Sequence, residues 1–345
     1  MSPSTPPDAE PAATLTTLGA DELLSIKDEV ARVARELGRW AQDQSQRHYR
    51  GEKGVDVGTK TSPGDFVTSV DVHVQERLVQ ELSAAYPSFG FLGEEEHLNR
   101  FDASNPVWVI DPVDGTHNFV RAYPGFCVSV GLVHDGASLV GVIYDAATDV
   151  VFWAVKGGGA WREDGGATEQ LAVSAKQDLS TAMITTGFTS TSAADPAHIA
   201  VFADLADAAA GTRVSGSACR DLCFVAAGKV DLFWQFHIRP WDVAAGRLLV
   251  AEAGVRVELE VGAGGLLSGE PLVRRARRGR PHHRRAGGPP GVPGRGQHPH
   301  AGAGRPGRVP RVAQVLRGRL MDGAFNALSI VYLVALLLLL ATVAA

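Results

Sequence analysis

The sequence predicts an α+β protein in which helical and sheet layers alternate, and three observations carry that reading. Two amphipathic helical patterns open the chain, a run of strand-like segments fills its middle, and helical and strand patterns then interleave up to about residue 260.

From Asp21 to about Gln46, the apolar residues Leu23, Ile26, Val30, Val33, Leu37 and Trp40 recur at spacings of three and four, which is one stripe of a helix. A second helix is predicted from Thr68 to Ala84, with Val70, Val74, Leu78 and Leu82 four apart and Pro87 stopping it. Asp71 sits in its first turn. Strands are predicted at 107–110, 126–133, 138–144, 150–155 and 171–174, separated by Asp, Gly and Lys-Gly-Gly-Gly turns. The KGGGA at 156–160 reads as a hairpin turn rather than a phosphate loop. Helical patterns return around 196–210, 217–227 and 241–253, with short strands at 182–186, 230–234 and 255–260 between them. No internal repeat is visible.

The 345 residues are 45% apolar and 21% charged, the profile of a chain that buries a core. The net charge of −5 is unevenly spread, because 13 Arg and a single acid, Glu270, lie between Ala263 and Leu320. The remainder is strongly acidic and has no basic stripe for nucleic acid, so its chemistry draws counter-charge from cations. Cys127, Cys219 and Cys223 form no CxxC, which indicates neither a disulfide framework nor a zinc site and fits a reducing cytosol. Cys219 and Cys223 read as small buried residues. Residues 1–17 lack the basic and apolar runs of a secretory signal and read as a flexible leader.

Beyond Val261 both periods vanish into RRARRGRPHHRRAGGPPGVPGRG, so residues 263–320 read as a low-complexity segment unable to fold alone. Residues 321–345 read as an apolar helix. Its uncharged part, Ala324 to Ala345, would be about 33 Å long, enough to cross a bilayer with Arg317 and Arg319 on the cytoplasmic side. Two explanations stand. The abrupt loss of periodicity, with an Arg, Gly, Pro and His bias lacking Lys, suggests a shifted reading frame near residues 260–270. The other is a genuine tail anchor on a basic linker that favours anionic lipid.

The chemistry is concentrated in four segments. WVIDPVDGTHNF at 108–119 runs a buried-looking strand into Asp111 and Asp114, with Pro112 stiffening the turn and Gly115 letting backbone approach. Charge beside a core needs a turn hydrogen bond, a basic partner or a metal ion. Taken alone, Asp-x-x-Asp-Gly is a common turn pattern. FLGEEEHL at 91–98 ends an apolar stretch on three glutamates, KTSPGDFVTSVD at 60–71 adds Asp65 and Asp71, and RPWDVAAG at 239–246 starts a helix on Asp242. Asp at such a start is most often only a cap.

Together these segments resemble the inositol monophosphatase family. Its signatures GEE, DPxDGTxNF and WDxAAG stand as Gly93 to Glu95, Asp111 to Phe119 and Trp241 to Gly246, within a resemblance running from about Leu18 to Val261. The resemblance implies a layered αβαβα sandwich over residues 18–262 and a Mg²⁺-dependent phosphomonoesterase with two or three ions. It implies that Glu94 shares one ion with Asp111 and the Val113 carbonyl, and that Asp111 bridges to a second held by Asp114 and Asp242. Thr116, supported by Asp71, would stand beside the attacking water, with Glu94 completing the catalytic set. Gly115 and Thr116 would offer N–H groups to the phosphate, and Gly216, Ser217 and Ala218 would begin a helix facing the substrate. Glu95 would stand behind the ligands. Lys60, read from the sequence itself, either lines the site or is a solvated lysine.

Oxygen-only ligands suit Mg²⁺, and the lack of a His or Cys cluster argues against zinc. Gln235 stands where inositol-specific relatives carry Glu, which leaves open inositol monophosphate, histidinol phosphate, a sugar bisphosphate or a nucleotide 3′-phosphate. The expected partner is thus a small phosphate ester, with no nucleic acid, and the resemblance implies a cytoplasmic homodimer. Similar proteins continue after the 255–260 strand with further sheet and a closing helix. These are not evident here, so the domain reads as truncated, and a non-catalytic tethered or misfolded relative is the competing reading. His117 reads as a surface or substrate-side residue and Trp241 as a packing residue.

Overall fold

The computed structural model describes residues 18–254, apart from 61, 103, 177, 189–195 and 236–237, and the backbone of two later strands. Helix α1 (Ala20–Tyr49) buries most of the predicted stripe, including Ile26, Val30, Val33 and Leu37, whereas Trp40 is exposed and packs against the His73 ring. A small hairpin, β1 (Val57–Thr59) and β2 (Phe66–Thr68), leads into α2 (Ser69–Ala85). Asp71 and Thr68 form a capping box at that junction, which fixes where α2 begins.

The main sheet follows: β3 (Gly90–Gly93), β4 (Val107–Asp114), β5 (Cys127–His134), β6 (Ala137–Asp145), β7 (Val150–Val155), β8 (Ala160–Asp164) and β9 (Ala167–Gln170), in that spatial order. Only β3 and β4 run parallel. The short helix α3 (Thr116–Val120) sits between β4 and β5. Strands β10 (Met183–Thr186), β11 (Gly211–Val214) and β12 (Leu232–Trp234) form a second, parallel sheet in the order β11-β10-β12. The remaining helices are α4 (Pro196–Ala208), α5 (Ala218–Ala226) and α6 (Pro240–Glu252).

Alternation along the strands builds two cores. Trp108 and Ile110 of β4 face the core shared with α1 and α2, whereas Val107 and Val109 face the core shared with α5 and α6. Helix α5 touches the second sheet on its other side, and α4 stacks on that sheet through Phe188, His198, Phe202 and Trp234. The layers thus run helix, sheet, helix, sheet, helix, as the resemblance implied.

Three details differ from the sequence expectation. The strand predicted at 107–110 continues to Asp114. The strand predicted at 171–174 is replaced by the β8–β9 hairpin ending at Gln170; its polar ladder carries no apolar alternation, so it left no period to read. Strand β13 (Val257–Val261), expected at 255–260, pairs antiparallel with β14 (Leu272–Ala276), which lies inside the segment read as lacking either period. Backbone hydrogen bonds define a strand pair without requiring side-chain alternation. The leader at 1–17 and the apolar segment at 321–345 lie outside the described residues. Among the described residues no helix is long and apolar enough to cross a membrane.

The VAAG of the third signature has a packing role. A Cβ on Gly131 would lie 3.0 Å from Cβ of Ala244, and one on Gly141 would lie 2.6 Å from the Ala245 carbonyl oxygen. Glycines on two strands therefore meet alanines on α6, and the helix lies close against the sheet. Gly141→Ala is expected to lower stability by about 1–3 kcal/mol through overpacking. Gly64→Ala, where nothing lies within 4 Å and φ is not left-handed, is expected to stay within about 0.5 kcal/mol. Urea unfolding midpoints of the two variants check this.

Candidate active site

In a regular strand, side chains three positions apart point to opposite faces. Asp111 and Asp114 escape this because the pairing slips: Asp111 faces Ser129 on β5 while Asp114 faces Cys127, so β4 carries one extra residue. This is a β-bulge, and Pro112 sits within it, where a missing N–H does least harm. The bulge brings both carboxylates to one side. Ligand oxygens of Asp111 and Asp114 and the sulfur of Cys219 lie within 4.8 Å of one another. Gly115 then takes a left-handed φ of 99°, and a Cβ there would meet the Gly125 and Gly216 carbonyls at 3.0 and 3.2 Å.

Helix α5 fixes Asp114. Its N-cap, Ser217, donates its hydroxyl to the carboxylate at 2.6 Å, and the backbone N–H groups of Cys219 and Ala218 donate at 2.7 and 3.3 Å. A carboxylate at a helix N-terminus gains from the helix dipole as well as from the hydrogen bonds. Asp242 lies in the first turn of α6, where Pro240 presets the helix and the Arg239 N–H donates to its carboxylate at 2.8 Å. The cap expected of this residue is therefore made, and its charge still bears on Asp111.

Glu94 and Glu95 leave β3 on the other side of Asp111. The Glu94 N–H donates to the Ile110 carbonyl at 3.1 Å, which ties the glutamates to β4. Gln75 on α2 clamps Glu95 by its backbone, donating to its carbonyl at 2.6 Å and accepting from its N–H at 3.0 Å. Lys60 donates to Glu94 at 2.9 Å and to Glu95 at 2.7 Å. Ligand oxygens of Asp71, Glu94 and Glu95 form a second group within 4.8 Å. The Thr116 hydroxyl is placed to donate either to Asp71 at 3.2 Å or to the Val113 carbonyl at 3.1 Å.

Burial dominates the electrostatics. It pushes Asp71 up to about 6, Glu94 to about 7 and Asp242 to about 8, and it holds Asp111 well above the usual carboxylate range. Neighbouring carboxylates add to the rise at Asp111, where Glu94, Asp114 and Asp242 all contribute. Asp114 is also raised by burial, although its hydrogen bonds to Ser217, Cys219 and Ala218 oppose that rise. Burial disfavours the Lys60 ammonium, but Glu94 and Glu95 outweigh it and hold the amine above its ordinary value. A set of converging carboxylates that resist ionisation, with an ammonium already drawn in, fits a divalent cation. The Cys219 thiol is pushed well up by burial, so the oxygens are the ready donors.

Not every expected residue reaches this cluster. Gln235, just after β12, packs over Gly187, and the hydrogen bonds of Ser217 and Ala218 are directed to Asp114. Gly216 closes the wall, with a Cβ there lying 3.3 Å from the Asn118 amide. His117 is exposed, hydrogen-bonds the Gly64 carbonyl and packs on Phe66. Gln75 and Cys219 were not foreseen as site residues. Gln75 stands one helical turn after Asp71, and that spacing was its only signal.

This combination of layered fold and carboxylate cluster is that of the inositol monophosphatase family, whose profile matches residues 26–281. The chain belongs to that family and is a phosphoric monoester hydrolase. It is 38% identical over 203 residues to the inositol-1-monophosphatase of Caulobacter vibrioides, covering 58% of this chain and 77% of that protein. It is 39% identical over 197 residues to the Nus factor SuhB of Pasteurella multocida, covering 57% and 72%. The extragenic suppressor protein suhB from Bartonella henselae superposes with a TM-score of 0.63 at 31% identity, over 72% of this chain and 93% of that one. The inositol monophosphatase from Anabaena gives 0.59 at 30%, over 74% and 91%.

The raised carboxyl groups set a pH dependence. Above the ordinary carboxylate range and up to about pH 8, the native state keeps protons that the unfolded chain has released, so stability falls as pH rises. In EDTA, the melting temperature is expected to be lower at pH 8 than at pH 5. Added Mg²⁺ is expected to raise it more at pH 8 than at pH 5. Calorimetric scans at the two pH values, with and without the ion, check both.

Proposed function

We propose that the protein hydrolyses a small phosphate monoester, inositol monophosphate or a close analogue, in a Mg²⁺-dependent reaction. The observation that carries this reading is the convergence of Glu94, Asp111, Asp114 and Asp242 from three separate stretches of chain. Those four side chains and the Val113 carbonyl would hold the ions. Divalent cations supply charge neutralisation at the phosphoryl group and a more acidic water.

Phosphate monoesters hydrolyse so slowly that up to ~10²¹-fold acceleration is needed, whereas one positioned base supplies about 10²–10⁴. The chain's own groups therefore work alongside the cations. When the Thr116 hydroxyl donates to Asp71, its lone pairs are left to orient an attacking water. Asp71, raised to about 6, then accepts a proton through that hydroxyl near neutral pH. The N–H groups of Gly115 and Thr116 precede the hydrogen-bonded part of α3 and would face the phosphate. Gln235 would present a neutral amide, able to donate to and accept from the hydroxyls of a polyol.

A phosphate-release panel across inositol, histidinol, sugar and nucleotide phosphates tests this, run with Mg²⁺ and with EDTA. Release from one class is expected to stop in EDTA. Ser217→Ala, which removes a bond to a ligand, is expected to lose about 10–100-fold, and Asp111→Asn, which alters the ligand itself, more than about 100-fold. A folded preparation that releases phosphate from none of these esters with Mg²⁺ present would end the proposal.

A further inference from the structure

We propose that Lys60 is the metal centre's own resident cation, which a divalent ion must displace from Glu94, so that Lys60 sets how tightly and how fully the centre loads. The inference rests on the divalent-cation reading above. Its ammonium lies 2.9 Å from Oε1 of Glu94 and 2.7 Å from Oε1 of Glu95. The three-carboxylate group of Asp71, Glu94 and Glu95 is compact enough for one cation to bear on all of it. Lysine suits that place because its charge is a small point with three donors, closer to an ion than the broad guanidinium fork of arginine.

The surroundings say how the exchange proceeds. The hairpin that carries Lys60 is held at its base, since the Lys60 N–H donates to the Asp65 carbonyl at 2.8 Å and Thr59 pairs with Phe66. Phe66 packs on His117 with ring centroids 4.4 Å apart, and His117 also hydrogen-bonds the Gly64 carbonyl. With the backbone pinned, displacement needs only rotation of the four-carbon stem. The side chain is 23% exposed, so it has solvent to swing into. A divalent ion at Glu94 meets an oxygen already taken. Its apparent affinity is therefore reduced by the fraction of molecules in which Lys60 is docked.

Titration of the full chain with Mn²⁺, followed by calorimetry and by the loss of the free-ion spin-resonance signal, tests this. Lys60→Gln is expected to bind Mn²⁺ about ten-fold tighter, or to take up one more ion per chain, while Lys60→Arg, which keeps the charge but not its compact shape, falls between Lys60→Gln and the unsubstituted protein. In the unsubstituted protein, saturating Mg²⁺ is expected to raise acetylation of Lys60 several-fold, read by mass spectrometry. This second measurement needs no variant. If the unsubstituted protein binds Mn²⁺, Lys60→Gln binds it no better and Mg²⁺ leaves Lys60 labelling unchanged, the role of Lys60 is overturned while the metal centre stands. If neither protein binds Mn²⁺, the metal centre itself is overturned, and the role of Lys60 with it.

Discussion

Like charges buried at the meeting point of two layers are the constraint that the rest of this structure answers. Four carboxylates converge there, and each is compensated locally: Asp111 accepts from the Val113 N–H, Asp114 from the Ser217 hydroxyl and the Ala218 and Cys219 N–H groups, Asp242 from the Arg239 N–H and Glu94 from Lys60. A single hydrogen bond to a charged group stabilises by about 1.5–3 kcal/mol, less than the burial of an ion demands. All four groups accordingly remain raised above the usual range. The hydrogen bonds orient the carboxylates, and neutralisation has to come from outside the chain.

Backbone devices, rather than side-chain ones, make that convergence reachable. Without the bulge at Pro112, one of the two aspartates would point into the core beneath α1 and α2. Without a left-handed glycine at 115, the chain could not turn from β4 into α3, since a Cβ there would lie 3.0 and 3.2 Å from the Gly125 and Gly216 carbonyl oxygens. Gly131 and Gly141 let α6 lie against the sheet, and Gly93 makes room for Gln75, whose amide would lie 2.4 Å from a Cβ there. Small residues thus surround the charged ones. They set distances to which the carboxylates are sensitive, because electrostatic coupling varies steeply at this range.

The sequence revealed the parts of this arrangement that repeat or punctuate. Helical stripes in α1 and α2 are periodic, and β5 to β7, buried on both faces, stand out as apolar runs between turn residues, so those elements are legible to within a few residues. The four acidic residues proposed to hold metal are legible because their signatures are short and local. What escaped was non-local or aperiodic. The bulge shows only in the slip of Asp114 against Cys127, a partner on another strand. The clamp of Gln75 on Glu95 spans 20 residues, and the bond of Ser217 to Asp114 spans 103. The resemblance puts Ser217 at a helix start facing the substrate, and what it does not reveal is that the Ser217 hydroxyl is given to Asp114. The KGGGA turn between β7 and β8 likewise meets a distant carboxylate of the chain: its Gly157 and Gly159 N–H groups donate to Glu252.

Binding and folding at this centre are consequently one equilibrium viewed from two ends. The burial that lifts Asp111, Asp114 and Asp242, with repulsion from neighbouring carboxylates added at Asp111 and Asp242, destabilises the native state when these groups are charged, and a bound cation would relieve both costs. An ion present at a hundred times its dissociation constant would return about 2.7 kcal/mol to the native state. The ligands are drawn from β3, β4 and α6, and α5 orients one of them, so no single layer holds the site alone. A slip of α6 against Gly131 and Gly141 would carry Asp242 away from Asp114 and reduce both affinity and cohesion together. The apolar cores on either side of the main sheet are therefore what keeps mutually repelling groups together, and the proposed ion binding would depend on that packing as directly as on the acids themselves.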